Sequence, residues 1–250
     1  MEIAKTIDSV LLQEQEERKD RKRSGKWTPS RFGRCYRFQY WSRQGIEPTN
    51  PPDINSIKRM DLGTLIHEYI QKKMKDTCEI EVEVAQDDVF GYADLVDKDS
   101  VADIKSTNDW AFKYLKEESI VEDKFPNWLQ VACYAQILKK PKCMLFYVNT
   151  KDINKVRAFE KPTAMFSDFL VTEMDILREW WKLDSLPDAL PRCYNGKECN
   201  YCGFKDKCFA LEESKKVKET PNLMAEEEED EIQMIADGQD AEGIDIGGEG

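Results

Sequence analysis

The chain has 250 residues, enough for one domain with a sizeable core. No apolar run of membrane length is present, and the N-terminal segment MEIAKTIDSVLLQEQEERKDRKRSGK is too short in apolar residues and too mixed in charge to serve as an export signal. The net charge of −12 is concentrated: residues 226–250 hold eleven acidic residues and no Lys or Arg, which leaves 38 acidic against 37 basic residues in 1–225. The rest of the chain is therefore near neutral, and a local basic groove is compatible with it.

Residues 1–26 read as a polar, helix-forming arm whose basic run, Arg18 to Lys26, suits either a solvated face or phosphate contact. WTPSRFGRCYRFQYW (27–41) opens the domain, with Thr28 or Ser30 expected to cap a short helix carrying Cys35. Residues 46–56, with three prolines and two asparagines, read as a loop. MDLGTLIHEYIQKKMK (60–75) has helical periodicity, with Asp61 as expected N-cap and Leu62, Leu65, Ile66, Tyr69 and Ile70 as the expected buried stripe. Three strand-like runs follow: CEIEVEVA (78–85), whose alternation predicts a half-buried strand, DVFGYADLVD (88–97) and SVADIKS (100–106). The last two are expected to form a hairpin through Lys98-Asp99-Ser100.

Residues 109–120 predict an amphipathic helix, and PNWLQVACYAQILKK (126–140) a second one with Pro126 in its first turn. CMLFYVNT (143–150) predicts a buried strand, 154–160 its hairpin partner, and TAMFSDFLVTEMDILREWWKL (163–183) a long amphipathic helix. From about residue 214 the hydrophobic content collapses, so 214–250 is expected to be an acidic, disordered tail.

Eight cysteines without an export signal point to a reducing, cytoplasmic setting, where clustered thiols bind metal more often than they pair. Cys199, Cys202 and Cys208 form a C-x2-C-x5-C run, and Cys35 is available as a distant fourth ligand. Four thiolates in a 3+1 pattern suit a 4Fe–4S cluster, with zinc or unligated thiols as the alternatives and Cys193 as a rival ligand. Joining Cys35 to Cys199 would close a loop of more than 160 residues, which removes much unfolded-chain entropy. Cys78, Cys133 and Cys143 fall in strand or helix patterns and read as core residues.

Asp94 and Asp103 fall on consecutive strands of the expected hairpin, where their carboxylates can converge on one divalent ion. Lys105, two residues after Asp103, shares its face and can reach a phosphate or the attacking water. Such a set serves metal-assisted phosphodiester cleavage; exposed polar residues near a turn would look the same in isolation. Gly91 offers close backbone approach or a bulge beside the pair. His67 is either a core histidine or a third ligand, and an Asp2His set suits Mn2+ somewhat better than Mg2+. Gly63, one turn earlier, allows close helix packing. Gln130 and Tyr134, at i and i+4, share a helix face that either packs or walls a nucleic-acid channel.

In combination these motifs resemble the RecB-type branch of the PD-(D/E)XK nucleases, and in particular its small iron–sulfur members: the CRISPR-associated exonucleases (the fourth Cas family) and the AddB nuclease domain. The resemblance covers about residues 27–210 and rests on Ser30, Cys35 and Arg37 (S-x4-C-x-R), Gly63 and His67, Gly91 and Asp94, Asp103-x-Lys105-Ser106, Gln130 and Tyr134, and the final C-x2-C-x5-C. It implies an α/β, restriction-endonuclease-like core with a mixed central sheet flanked by helices, and a nuclease domain over 27–213. It further implies His67, Asp94 and Asp103 as ligands of Mn2+ or Mg2+, catalysis by Lys105 with Gln130 and Tyr134 assisting near DNA, and a 4Fe–4S cluster on Cys35, Cys199, Cys202 and Cys208.

Two features depart from the family pattern. Asp103 stands where the CRISPR-associated members more often have Glu, which weakens a role in spacer acquisition relative to recombination, repair or replication. The acidic tail is the other; it could mimic phosphate, recruit a basic protein partner, or act as a solvated extension. With no Walker motif in the chain, the expectation is a nuclease without its own motor, acting on single-stranded DNA ends alone or as a subunit or homo-oligomer. The alternatives are a non-catalytic nucleic-acid-binding or assembly module, which the retention of Asp94, Asp103 and Lys105 disfavours, and a zinc-stabilised interaction protein.

Overall fold

A computed structural model describes residues 2–19, 24–189 and 197–214. The chain divides into two units, residues 1–203 and 204–250. In the second, residues 205–214 are helical. Most of the expected acidic tail and the rival ligand Cys193 lie outside the described residues.

The first unit is built on a five-stranded mixed sheet in sequence order: β1 (Glu79–Gln86), β2 (Val89–Val96), β3 (Ser100–Thr107), β4 (Lys142–Asn149) and β5 (Val156–Pro162). Neighbours pair antiparallel except β3 and β4, which run parallel because a helical crossover lies between them. That crossover contains α4 (Asp109–Lys113), α5 (Ile120–Asp123) and α6 (Phe125–Ile137). Before the sheet come α1 (Ile3–Lys19), α2 (Tyr36–Gln44) and α3 (Ile54–Met74); after it come α7 (Ser167–Lys182) and α8 (Lys197–Asn200). The mixed α/β architecture expected from the sequence is present. Among the described residues, no helix is long and apolar enough to cross a membrane.

Alternation along β3 sends its side chains in two directions. Asp103 and Lys105 reach Gln130 of α6, whereas Ser106 lies against Gly63 of α3, so the two helices flank the strand. A Cβ at Gly63 would meet Ser106 Oγ at 3.1 Å, which is why a glycine serves at that close approach. The core fills with Ile104, Trp128, Leu129, Val131, Leu145 and Phe166, all essentially inaccessible, with Trp128 stacked on Phe166 at a centroid distance of 5.5 Å.

Several local expectations are corrected. α3 begins at Ile54, and its N-cap is Asp53, whose carboxylate accepts from Ser56 N at 2.7 Å; Asp61 lies inside the helix. The stripe Leu62, Leu65, Ile66, Tyr69 and Ile70 is split. Ile66 is buried and Ile70 half-buried, whereas Leu65 and Tyr69 are 55% and 54% exposed. The cause is rotational: the helix meets the sheet along Gly63, Ile66 and His67, which turns Leu62 and Leu65 toward α1, where they line a shallow groove with Ala4, Ile7 and Leu11. The arm is thus a helix tied to α3, with Lys58 Nζ 2.5 Å from Asp8 Oδ1.

Neither Thr28 nor Ser30 caps α2; Cys35 is itself the residue before it. The helix expected over 109–120 ends at Lys113, and Arg157 Nη1 donates to the Leu115 carbonyl in the following turn. β1 is an edge strand and is mostly exposed, with Val84 its buried anchor.

Candidate active site

The β2–β3 ladder carries the site. Leu95 pairs with Ala102 and Val96 with Val101, and the same register sets Asp94 opposite Asp103 one step further. There the backbone pairing stops, and the Asp94 side chain takes its place: Oδ2 accepts from Ile104 N at 2.7 Å. Opposite Asp94 on the other side, Glu81 of β1 is also missing from its ladder and has a left-handed backbone with φ 49°. The sheet is therefore locally opened around Asp94 on both edges.

Asp103 is 2% exposed. Its Oδ1 accepts from Gln130 Nε2 at 2.9 Å, and its Oδ2 lies 2.7 Å from Lys105 Nζ in an ion pair without hydrogen-bond alignment. Lys105 Nζ donates to Gln130 Oε1 at 3.0 Å, which closes a three-residue ring of contacts. Burial raises the Asp103 carboxyl, Lys105 opposes that rise, and Asp94 adds to it; the carboxyl stands at about 6. His67 Nδ1 lies 3.5 Å from Asp94 Oδ2. Tyr134 is buried, bonds with Gln130, and has its phenol pushed up by burial and by Asp103. A Cβ at Gly91 would stand 2.6 Å from Tyr134 Oη, so the close backbone approach expected at this glycine is real, and its occupant is the tyrosine.

His67, Asp94, Asp103, Lys105, Gln130 and Tyr134 are thus brought together from α3, β2, β3 and α6. Two carboxylates and an imidazole form a donor set of the right chemistry for Mn2+ or Mg2+. The buried Asp103 Oδ2, whose close partner is the Lys105 ammonium, and the raised Asp103 carboxyl both fit an adjacent cation. In the arrangement described, the cation beside Asp103 is the Lys105 ammonium, and among the described residues no three His, Cys, Asp or Glu side chains are gathered into a ligand group.

A cleft of about 820 Å³ lies along α3, lined by Arg59, Gly63, His67, Gln71, Glu81, Ser106 and Tyr201, and His67 is the member of the cluster that lines it. Gln71 Nε2 donates to Glu81 Oε1 at 2.5 Å. Glu81 escapes sequence reasoning because Glu79, Glu81 and Glu83 alternate alike along β1, and nothing in that pattern singles out the middle one.

Of the four cysteines expected to hold a cluster, Cys35, Cys199 and Cys202 belong to the first unit and Cys208 to the second; all are half-buried. Within the first unit, Cys35 N donates to Glu198 Oε1 at 3.1 Å, which brings the residue beside Cys199 against Cys35 across 163 positions of sequence. Cys133 and Cys143 are buried in the core as expected, and Cys78 is half-buried at the turn before β1.

Among solved structures, SSO0001 is similar over 80% of this chain and 92% of its own, with a TM-score of 0.54 and 17% identity. The alkaline exonuclease LHK-Exo from Laribacter hongkongensis is similar over 64% of this chain and 89% of its own, with a TM-score of 0.46 and 14% identity; its complex with dAMP gives the same score and coverage at 15% identity. The likeness to SSO0001 is one of fold. No protein-family model matches the sequence, and no curated protein matches it.

Proposed function

We propose that this chain is a divalent-metal-dependent DNA nuclease of the RecB-like PD-(D/E)XK class, acting as an exonuclease on single-stranded ends. One observation carries the reading: Asp103, Lys105 and Gln130 are joined by contacts of 2.7–3.0 Å beside Asp94 and His67, and His67 lines a cleft. Asp94, Asp103 and His67 would hold Mn2+ or Mg2+. That ion, when bound, lowers the pKa of a coordinated water and polarises the phosphoryl oxygen.

The chain's own residues do the rest. Gln130 holds Lys105 and one Asp103 oxygen in fixed relation, so neither must reorganise when a phosphate arrives. Lys105 then directs its ammonium at the phosphate or the attacking water. Tyr134, wedged over Gly91, holds β2 against α6. We further propose that Cys35, Cys199, Cys202 and Cys208 bind a 4Fe–4S cluster. Their spacing supports this, as does the Cys35–Glu198 contact.

The test is cleavage of end-labelled single-stranded DNA by anaerobically purified wild type and Lys105→Ala, with Mn2+, Mg2+ or EDTA. Metal-dependent degradation by wild type alone supports the reading, and the product ladder gives polarity. Equal activity in both proteins, or none in a folded wild type, overturns it.

A further inference from the structure

β3, which carries Asp103 and Lys105, leads directly into α4, and α4 with the residue that caps its end presents two aromatic rings to solvent. Trp110 is 70% exposed and Tyr114 57%. Tyr114 is the residue that caps the C-terminal end of α4, four positions after Trp110, and the ring centroids are 4.8 Å apart with planes inclined at 52°. Burying rings of this size is ordinarily among the largest gains open to a fold, so a fold that leaves two of them side by side in water has left that gain to a ligand.

The pair is held rigidly. Asn108 caps α4 by accepting from Ala111 N at 2.8 Å, and Phe112 anchors its inner face under the Arg157 guanidinium. Asn149, fully buried at the end of β4, donates to Asp109 Oδ1 at 2.9 Å, and Thr150 N donates to the Thr107 carbonyl just beyond the parallel β3–β4 ladder. The two rings therefore ride on the carboxyl end of the parallel strand pair, the edge at which open α/β sheets take their ligands. Trp110 lies five positions after Lys105, a span of at most about 18 Å.

The surroundings select the ligand's chemistry. The exposed neighbours of the two rings in sequence are charged: Lys113, Lys116, Glu117 and Glu118. Asp109, which would repel phosphate, is engaged by Lys113 at 3.1 Å and by Asn149, with Lys151 close enough to act on its charge. Two adjacent π-faces with exposed Lys113 and Lys116 beside them, and with Glu117 paired to Lys161, offer stacking and cations rather than the contiguous apolar centre of a protein hot spot. That combination fits planar rings strung on a polyanion.

We propose that Trp110 and Tyr114 form a stacking platform for unpaired bases of a single-stranded nucleic acid whose phosphates reach Lys105. The platform deepens the nuclease reading and rests on it for the position of the scissile phosphate, and it makes the enzyme prefer single strands, because only unpaired bases expose both faces to a ring.

Of the six tryptophans, Trp27, Trp41 and Trp128 are buried and Trp180 and Trp181 half-buried, so the emission of Trp110 is the one most open to quenching by a ligand. The experiment is fluorescence titration of the full-length protein with oligo(dT), and separately oligo(U), in EDTA so that no cleavage occurs. Saturable quenching is expected in wild type and not with a duplex of equal length. Trp110→Phe keeps a ring and is expected to bind nearly as tightly, with the affinity of every variant read from the anisotropy of a dye-labelled oligo(dT), while losing most of the quench. Trp110→Ala and Tyr114→Ala are each expected to bind about 5- to 100-fold more weakly. Trp110→Ala binding as tightly as wild type, or an undiminished quench in Trp110→Phe, overturns the platform; metal-dependent cleavage then still stands on its own. Quenching at Trp110 in a protein that cleaves no DNA would support the platform and remove the nuclease reading.

Discussion

Tyr134 occupies the space that a side chain at residue 91 would need: a Cβ built on Gly91 would lie 2.6 Å from Oη, 2.9 Å from Cε1 and 3.1 Å from Cζ of the tyrosine. The tyrosine is buried in α6 and cannot swing clear, so Gly91→Ala must shift β2 or α6. We expect a loss of about 1–3 kcal/mol, read from urea unfolding. Combining it with Tyr134→Phe, which removes the nearest atom, should recover part of that loss. Additive losses in the double variant would show that the two residues are not in contact.

Gln130 is the residue whose removal should separate positioning from folding. Its amide serves Asp103 with the nitrogen and Lys105 with the oxygen, and no isosteric residue does both. Gln130→Glu keeps the acceptor for Lys105 but sets a second carboxylate against Asp103. Losing a hydrogen bond to a charged group is worth about 1.5–3 kcal/mol. Cleavage with Mn2+ by Gln130→Leu should therefore fall about 10- to 100-fold in kcat with a smaller change in KM. A change confined to KM would make Gln130 a substrate contact.

The sequence made the site more legible than the elements that carry it. The placement of Asp94, Asp103, Lys105 and Gln130 beside one another is readable because strand alternation and helical spacing are local rules, and the fold honours them. The rotation of α3 was not readable, since Leu62, Leu65 and Ile66 are equally apolar and only packing against β3 decides which of them turns inward. The early start of α3 at Ile54 was hidden by the prolines just before it, which served as the loop's end. The break at Tyr114 depends on Arg157, forty-three residues on, whose guanidinium fixes the turn at Leu115. Glu81 was hidden by its own repeat.

Six of the eight cysteines should divide chemically into two classes. Burial pushes the Cys133 and Cys143 thiols up to about 12, leaving almost no thiolate at neutral pH. Iodoacetamide should leave both unlabelled in the folded protein and label both in urea, as read by peptide mass spectrometry. Cys35, Cys199, Cys202 and Cys208 are half-buried, and after anaerobic iron–sulfide reconstitution they should resist labelling together and become reactive together once iron is chelated. Protection of only some of the four would sink the cluster assignment.

Asp88 should make the fold acid-sensitive. Its backbone carbonyl accepts from Trp27 N at 2.7 Å, and its carboxylate takes Arg178 Nη2 at 2.6 Å and Arg43 Nη1 at 3.3 Å, while the Arg43 guanidinium lies 4.4 Å from the Trp27 ring centroid and 4.1 Å from that of Trp181. Burial raises the Asp88 carboxyl, but the hydrogen bonds and charge of Arg178 and the charge of Arg43 outweigh it and hold the group below the ordinary carboxylate range. A carboxyl lowered in the folded state contributes stability that is fully present above its unfolded pKa of about 3.9 and is lost as pH falls through the folded value. Stability measured by urea unfolding should therefore decline below about pH 4, and Asp88→Asn should flatten that decline while lowering stability at neutral pH. Parallel pH profiles for the two proteins would show that Asp88 does not drive the acid transition.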